Sequence, residues 1–106
     1  MANYIMVVTS GAQPGQEDEY NTWYDNQHIH DICAVPGIGK GQRWDGIQEV
    51  SPNPLPAPYL AIYEIEADDP ADVLAEMMRR SQAGEIPMTE SIDLETAKIW
   101  IYKKHG

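Results

Sequence analysis

Residues 19–44 read EYNTWYDNQHIHDICAVPGIGKGQRW. This stretch holds two of the three Trp, two of the three His and the only Cys of the 106-residue chain, so the side chains able to do chemistry are concentrated here. Tyr20, Trp23 and Tyr24 recur at i, i+3, i+4, which is helix spacing. Continued at about 100° per residue, the stripe meets Gln27, His28 and Asp31, where a core helix would carry Leu or Ile. A buried stripe that turns polar either finds hydrogen-bond partners or loses stability, which marks it as a candidate site. The helix is expected from Gln16 to Cys33. Glu17, Asp18 and Glu19 suit the positive end of its dipole, and Val35-Pro36-Gly37 ends it, since a residue before Pro disfavours helix.

Outward from the helix, four β-rich stretches and one further helix complete the order. Asn3–Thr9, Tyr59–Glu66 and Glu95–Lys103 are apolar on both alternating faces. Gly37 to about Val50 is a second strand, with a break expected at Asp45-Gly46, and its glycines mark a bulge or a close approach. Ser51–Pro58 carries four prolines and is a connection. Asp69-Pro70 starts the second helix, with Asp as cap and Pro at its first position. Val73, Leu74, Met77 and Met78 form its stripe, the Met pair filling core, and Gly84 lies just past its end. Ala83–Ser91 is a loop apolar enough, through Ile86, Pro87 and Met88, to fold over something. The result is one domain, residues 1–106, of α+β class: a ferredoxin-like β-α-β-β-α-β unit with a four-stranded antiparallel sheet and both helices on one face. Two helices cover one face only. A second copy packed sheet to sheet is the economical cover for the other, so a homodimer is expected.

Composition narrows the partners. A net charge of −10, with seven basic residues mostly dispersed, argues against nucleic acid, whose affinity is built from clustered Lys and Arg. One Cys allows no intrachain disulfide and suits a reducing cytoplasm. No basic leader with a long apolar run opens the chain, and no run approaches the ~20 residues that span a bilayer. A cytoplasmic domain without membrane contact is expected.

Trp23-Tyr24-Asp25-Asn26-Gln27-His28-Ile29-His30-Asp31-Ile32, followed by Val35-Pro36-Gly37, resembles the first-helix signature of the EthD-type family of the dimeric α+β-barrel superfamily. That signature is an aromatic pair, a His four residues on, an acid three after that, and a Pro-Gly step into strand two. The sharp match covers roughly a sixth of the chain. Many relatives carry Pro where this chain has His30, so no role extends to His30. The resemblance implies a dimeric barrel, and it maps the relatives' general acid or base onto His28.

Read from the residues, His28 can take or give a proton near neutral pH. Asp31, one turn on, is placed to orient it, and Tyr24 to hold a carbonyl or enolate oxygen. The three lie within about 60° around the helix axis. A purely structural His28–Asp31 pair is the competing reading. Tyr20, Trp23, Arg43, Trp44 and Tyr63 are the expected substrate-binding residues, Arg43 as a fork for a carboxylate and Trp44 as a flat wall. Six Tyr, three Trp and no Phe suit an apolar but partly wet cavity or an interface. No metal is expected. His28 and His30 lie about 200° apart on a helix, leaving only a His28–Asp31 pair with a strand carboxylate such as Glu64. Cys33 is expected to be a small hydrophobe.

These readings converge on an enzyme without metal or organic cofactor, acting on a small molecule by proton transfer beside a carbonyl: dehydration, isomerisation, cyclisation or lyase cleavage. The resemblance supplies small aromatic, lactone or polyketide-like compounds as substrates. It equally permits a cofactor-free monooxygenase. A non-enzymatic dimeric binding or stress-related module is the third reading.

Overall fold

The computed structural model describes residues 2–106. The elements run β1 (Ala2–Ala12), α1 (Glu17–Trp23), a π-helical turn (Tyr24–His28), α2 (Ile29–Cys33), β2 (Ile38–Asp45), a 3₁₀ turn (Gln48–Val50), β3 (Tyr59–Ala67), α3 (Pro70–Gln82) and β4 (Ile92–Lys103). The sheet order is β2-β3-β1-β4 with every neighbour antiparallel, the ferredoxin-like arrangement expected from the element order. The expected first helix is present but divided by the π turn. Among the described residues no helix is long and apolar enough to cross a membrane.

Strand alternation sorts the two faces of the sheet. Met6 pairs with Tyr63 and Ile101, and Val8 with Ala61 and Ile99, so these side chains share the helix face. There Met6, Ala61 and Tyr63 meet Tyr20, Tyr24, Ile32, Val73 and Met77 from the helices in one buried cluster, with Val8 and Ile101 packed against it. Ile5, Val7, Leu60, Ile62, Trp44, Trp100 and Tyr102 fall on the other face by the same register. No helix covers them: Trp44 is 54% exposed and Tyr102 59%, with Ile5 and Trp100 above a third.

Three strand bounds differ from expectation, each for a local reason. Strand two stops at Asp45 because the Gly46 N–H bonds Pro58 O at 2.7 Å, which turns the chain into the 3₁₀ turn and the proline-rich connection. Strand one runs on to Ala12 past an irregularity between Thr9 and Gly11, and Gly11 and Ala12 pair with Asp93 and Ile92, so strand four begins earlier than Glu95. The second helix starts as expected, Asp69 Oδ1 accepting from the Ala71 N–H at 2.9 Å, and Gly84 beyond its end has φ +77°. Its stripe is narrower than expected. Val73 and Met77 are buried and Leu74 half-buried, but Met78 is 53% exposed.

Helix and sheet are packed tightly around Gly41. A Cβ there would lie 2.8 Å from the Tyr63 ring and 3.0 Å from Cys33 Sγ, and Tyr63 is only 1% exposed, so the ring has little room to retreat. Gly41→Ala should therefore lower the unfolding free energy by about 1–3 kcal/mol, the usual cost of overpacking. Urea unfolding of the two proteins measures it, and equal midpoints would contradict the contact.

Candidate functional site

The Ile29 N–H donates to Tyr24 O, five residues back, which defines the π turn. The turn carries one extra residue relative to an α-helix, and it brings residues five apart onto one side. His28 accordingly stacks on Trp23, with ring centroids 4.3 Å apart and planes 23° apart, while Tyr24 meets it edge-on at 4.9 Å. The Trp23 indole N–H donates to Pro87 O at 3.2 Å, tying this ring stack to the 83–91 loop.

His28, Tyr24 and Tyr63 line one cavity of about 180 Å³ between the helices, the sheet and the 83–91 loop. The Tyr24 and Tyr63 hydroxyls are hydrogen-bonded to each other at 2.9 Å. Apart from these three, Ser10 and Ser81, the lining is aliphatic or thioether, and among the described residues no Asp, Glu, Lys or Arg contributes to it. Met6, Met77, Met78 and Met88 all line it. Met78 and Met88 are half-exposed, which places them at the mouth. The loop expected to cover something covers this cavity, with Ile86 buried against it. A wider open cleft of about 720 Å³ lies elsewhere, around Tyr4, Gly39, Glu64 and Lys103, and none of the expected site residues lines it.

The remaining expected residues are placed differently. Asp31 does not orient His28: His28 Nδ1 and Asp31 Oδ2 are both buried without a hydrogen-bond partner among the described residues. Helical side chains lean toward the N-terminus, and the π turn sets Trp23 beneath the imidazole, which engages that ring instead. Trp44 is a correction on simple alternation. It pairs with Leu60 on the face opposite Tyr63 and sits beside the proline-rich connection. Tyr20 is 0% exposed, its hydroxyl bonded to that of Ser10, so it backs the site without lining it. Trp23 also stays outside the cavity and supports His28 from behind.

Arg43 is no open carboxylate fork. Its Nη1 donates to Asp25 Oδ1 and its Nη2 to Asn21 Oδ1, both at 2.8 Å, and Asn21 in turn donates to the Tyr59 hydroxyl at 3.1 Å. Glu64 lies on the sheet face away from His28, so it cannot join a metal set there. Cys33 is half-buried, and burial pushes its thiol pKa up.

Burial dominates the electrostatics. It presses the His28 pKa down from 6.5 to about 4, helped by the Arg43 charge, so the imidazole is neutral at pH 7. It pushes Tyr24 up to about 12, against the pull of the Tyr63 hydrogen bond and Arg43, and raises Tyr63 further. The arrangement is a neutral base and a pair of protonated phenols around apolar space. Of these residues, the methionines and Ser10 were not expected at a site. They come from one strand, a helix and a loop, and the apolar 83–91 loop hinted at the cavity.

No known family profile matches the chain, and no curated protein matches it in sequence. Among solved structures, it resembles a proposed monooxygenase from Shewanella loihica at TM-score 0.67 and 12% identity, covering 99% of this chain and 96% of that one. It also resembles an ethyl tert-butyl ether d (EthD) family protein from Bacillus halodurans at TM-score 0.65 and 15% identity, covering 99% of this chain and all of that one. Identities this low establish a shared fold.

The His28 shift has a definite sign in stability. Above pH 6.5 both folded and unfolded imidazoles are neutral and contribute nothing. Between 6.5 and about 4 the unfolded chain binds a proton that the folded chain refuses, so stability falls with pH, by about 3 kcal/mol in all, and levels off below. His28→Gln should lose that component. Urea unfolding at about pH 7 and about pH 4.5 compares the two proteins, and an identical pH dependence would show that His28 is not held neutral.

Proposed function

We propose that the chain is an EthD-type enzyme that removes a proton beside the carbonyl of a small, uncharged, single-ring substrate. The observation that carries this reading is the neutral His28 imidazole sharing the wall of an apolar cavity with the Tyr24–Tyr63 pair. A cavity without charged lining disfavours a charged ligand, because nothing in it replaces lost hydration. Its size, about 180 Å³, is below the range of drug-sized pockets and near that of an apolar cavity known to take benzene.

Counting protons gives the chemistry. Two phenols own two O–H groups, and one is used in the bond between them. The other is free to donate to a substrate oxygen. His28 accepts the α-proton as general base, and the negative charge passes to the substrate oxygen, held by the free phenol O–H. Returning the proton to another carbon gives isomerisation. Delivering the proton from His28 to a β-hydroxyl, which leaves as water, gives dehydration. Burial that makes His28 a weak base in the empty site opposes it less once an enolate stands beside the new imidazolium.

The Shewanella neighbour's name favours a second reading with the same first step. The carbanion would react with dioxygen, one oxygen atom entering the product as a carbonyl and the other leaving as water. Oxygen uptake separates the two.

Exchange of deuterium from solvent into the α-position of single-ring ketones and lactones, followed by NMR, tests the shared step directly. His28→Ala should slow exchange by roughly 10²–10⁴-fold, the usual worth of a general base. Tyr24→Phe should also slow it, and no exchange with any member of the series would end the enzymatic reading.

The uncovered sheet face supports a homodimer, with Ile5, Trp100 and Tyr102 packed against a second copy. Sedimentation of the native chain at micromolar concentration should give twice the chain mass, and Trp100→Glu should give the single mass. A native monomer would remove the argument.

A further inference from the structure

We propose that Arg43 is a positioning residue for this site: pinned outside the cavity and laid over the ring of Tyr24, its fixed charge stabilises negative charge on the Tyr24–Tyr63 pair and on an oxygen bound there. The inference rests on the proposed roles of Tyr24 and His28.

The geometry is specific. The Arg43 guanidinium carbon lies 4.4 Å from the Tyr24 ring centroid, 5.2 Å from that of Tyr59 and 5.5 Å from that of Tyr20. Its side chain is only 13% exposed, so the charge works largely through protein instead of water. Asp25 and Asn21 occupy its two terminal nitrogens, and Arg43 does not line the cavity, so a substrate held there does not contact the fork. What remains available to the site is the field. A cation over a phenol ring strengthens its O–H as a donor and favours negative charge on the oxygen.

The titratable groups respond accordingly. Burial is the largest influence on Tyr20, Tyr24, Tyr63 and His28, and Arg43 is the one charged side chain that pulls all four down. Beside it, the Tyr63 hydrogen bond also lowers Tyr24, whereas Tyr20 and the Cys33 thiol raise Tyr24, and Tyr24 and the Cys33 thiol raise Tyr63. Around His28, Tyr24 and Tyr63 share its cavity wall, and Asp31 follows one turn later with a buried, unpartnered oxygen. Asp25, with its side chain 61% exposed, balances the cation from the solvent side and only partly.

Substitutions at the two ends of the ion pair should move the site in opposite directions. NMR titration of His28 reads the field without any ligand. Arg43→Gln should raise the His28 pKa by roughly one unit, a tenfold gain in proton affinity, but leave it below 6.5 because burial persists. Asp25→Asn should lower it, and Arg43→Lys should stay nearer the native value than Arg43→Gln. The second readout is 4-nitrophenol, whose ionisation is visible by absorbance. Bound to Arg43→Gln it should be roughly tenfold less ionised than bound to the native protein, and bound to Asp25→Asn more ionised.

A folded Arg43→Gln with native His28 titration and native probe ionisation overturns the inference. If Arg43→Gln does not fold, an Asp25→Asn protein with unchanged His28 titration overturns it instead. If 4-nitrophenol fails to bind the native protein, the proposed cavity role fails on its own, and the His28 titrations still decide the role of Arg43.

Discussion

One backbone hydrogen bond, from the Ile29 N–H to Tyr24 O, sets the geometry on which the site depends. Spanning five residues instead of four, it stacks Trp23 under His28 while Tyr24 reaches across to Tyr63. An uninterrupted α-helix would set Trp23 and His28 roughly 140° apart on its surface. π turns are uncommon because their hydrogen bonding is strained relative to the α-helix, and they concentrate at functional sites. Here the turn is held at two points from the sheet. The Tyr24–Tyr63 bond anchors it to β3, and Arg43 of β2 bonds Asp25 within the turn and Asn21 just before it.

The sheet was largely legible in the sequence because its rules are local. Alternation in Tyr59–Ala67 placed Ala61, Tyr63 and Ile65 on one face, and all three are buried. Asp69-Pro70 announced the second helix through side-chain chemistry that needs no tertiary partner. Alternation also held the answer for Arg43 and Trp44, since adjacent strand residues cannot share a face. Expecting both at one binding site ignored that constraint.

The site was legible only in part. The polar turn of the Tyr20–Trp23–Tyr24 stripe located it, and the resemblance sharpened the choice of His28. The expected His28–Asp31 pairing assumed a regular helix, and no residue type in YDNQH declares a change of hydrogen-bond register. The cavity wall was hidden for a different reason. Met6, Met77 and Met88 lie on a strand, a helix and a loop, far apart along the chain, and each taken alone is an ordinary core or loop residue. Likeness of fold to other solved structures adds the frame and leaves the chemistry to be argued from side chains.

The four methionines on the cavity wall bear on how such a site diversifies. Their unbranched, polarizable chains take up many shapes at little cost, so the wall imposes a loose steric filter. Discrimination among ligands then falls to the few polar atoms, whose positions are fixed by the π turn and the sheet. Changes at Met78 or Met88, half-exposed at the rim, can reshape what is admitted without disturbing His28, Tyr24 or Tyr63. Under the proposed function, selectivity and chemistry are carried by separate sets of residues, and a lineage can alter the first while inheriting the second.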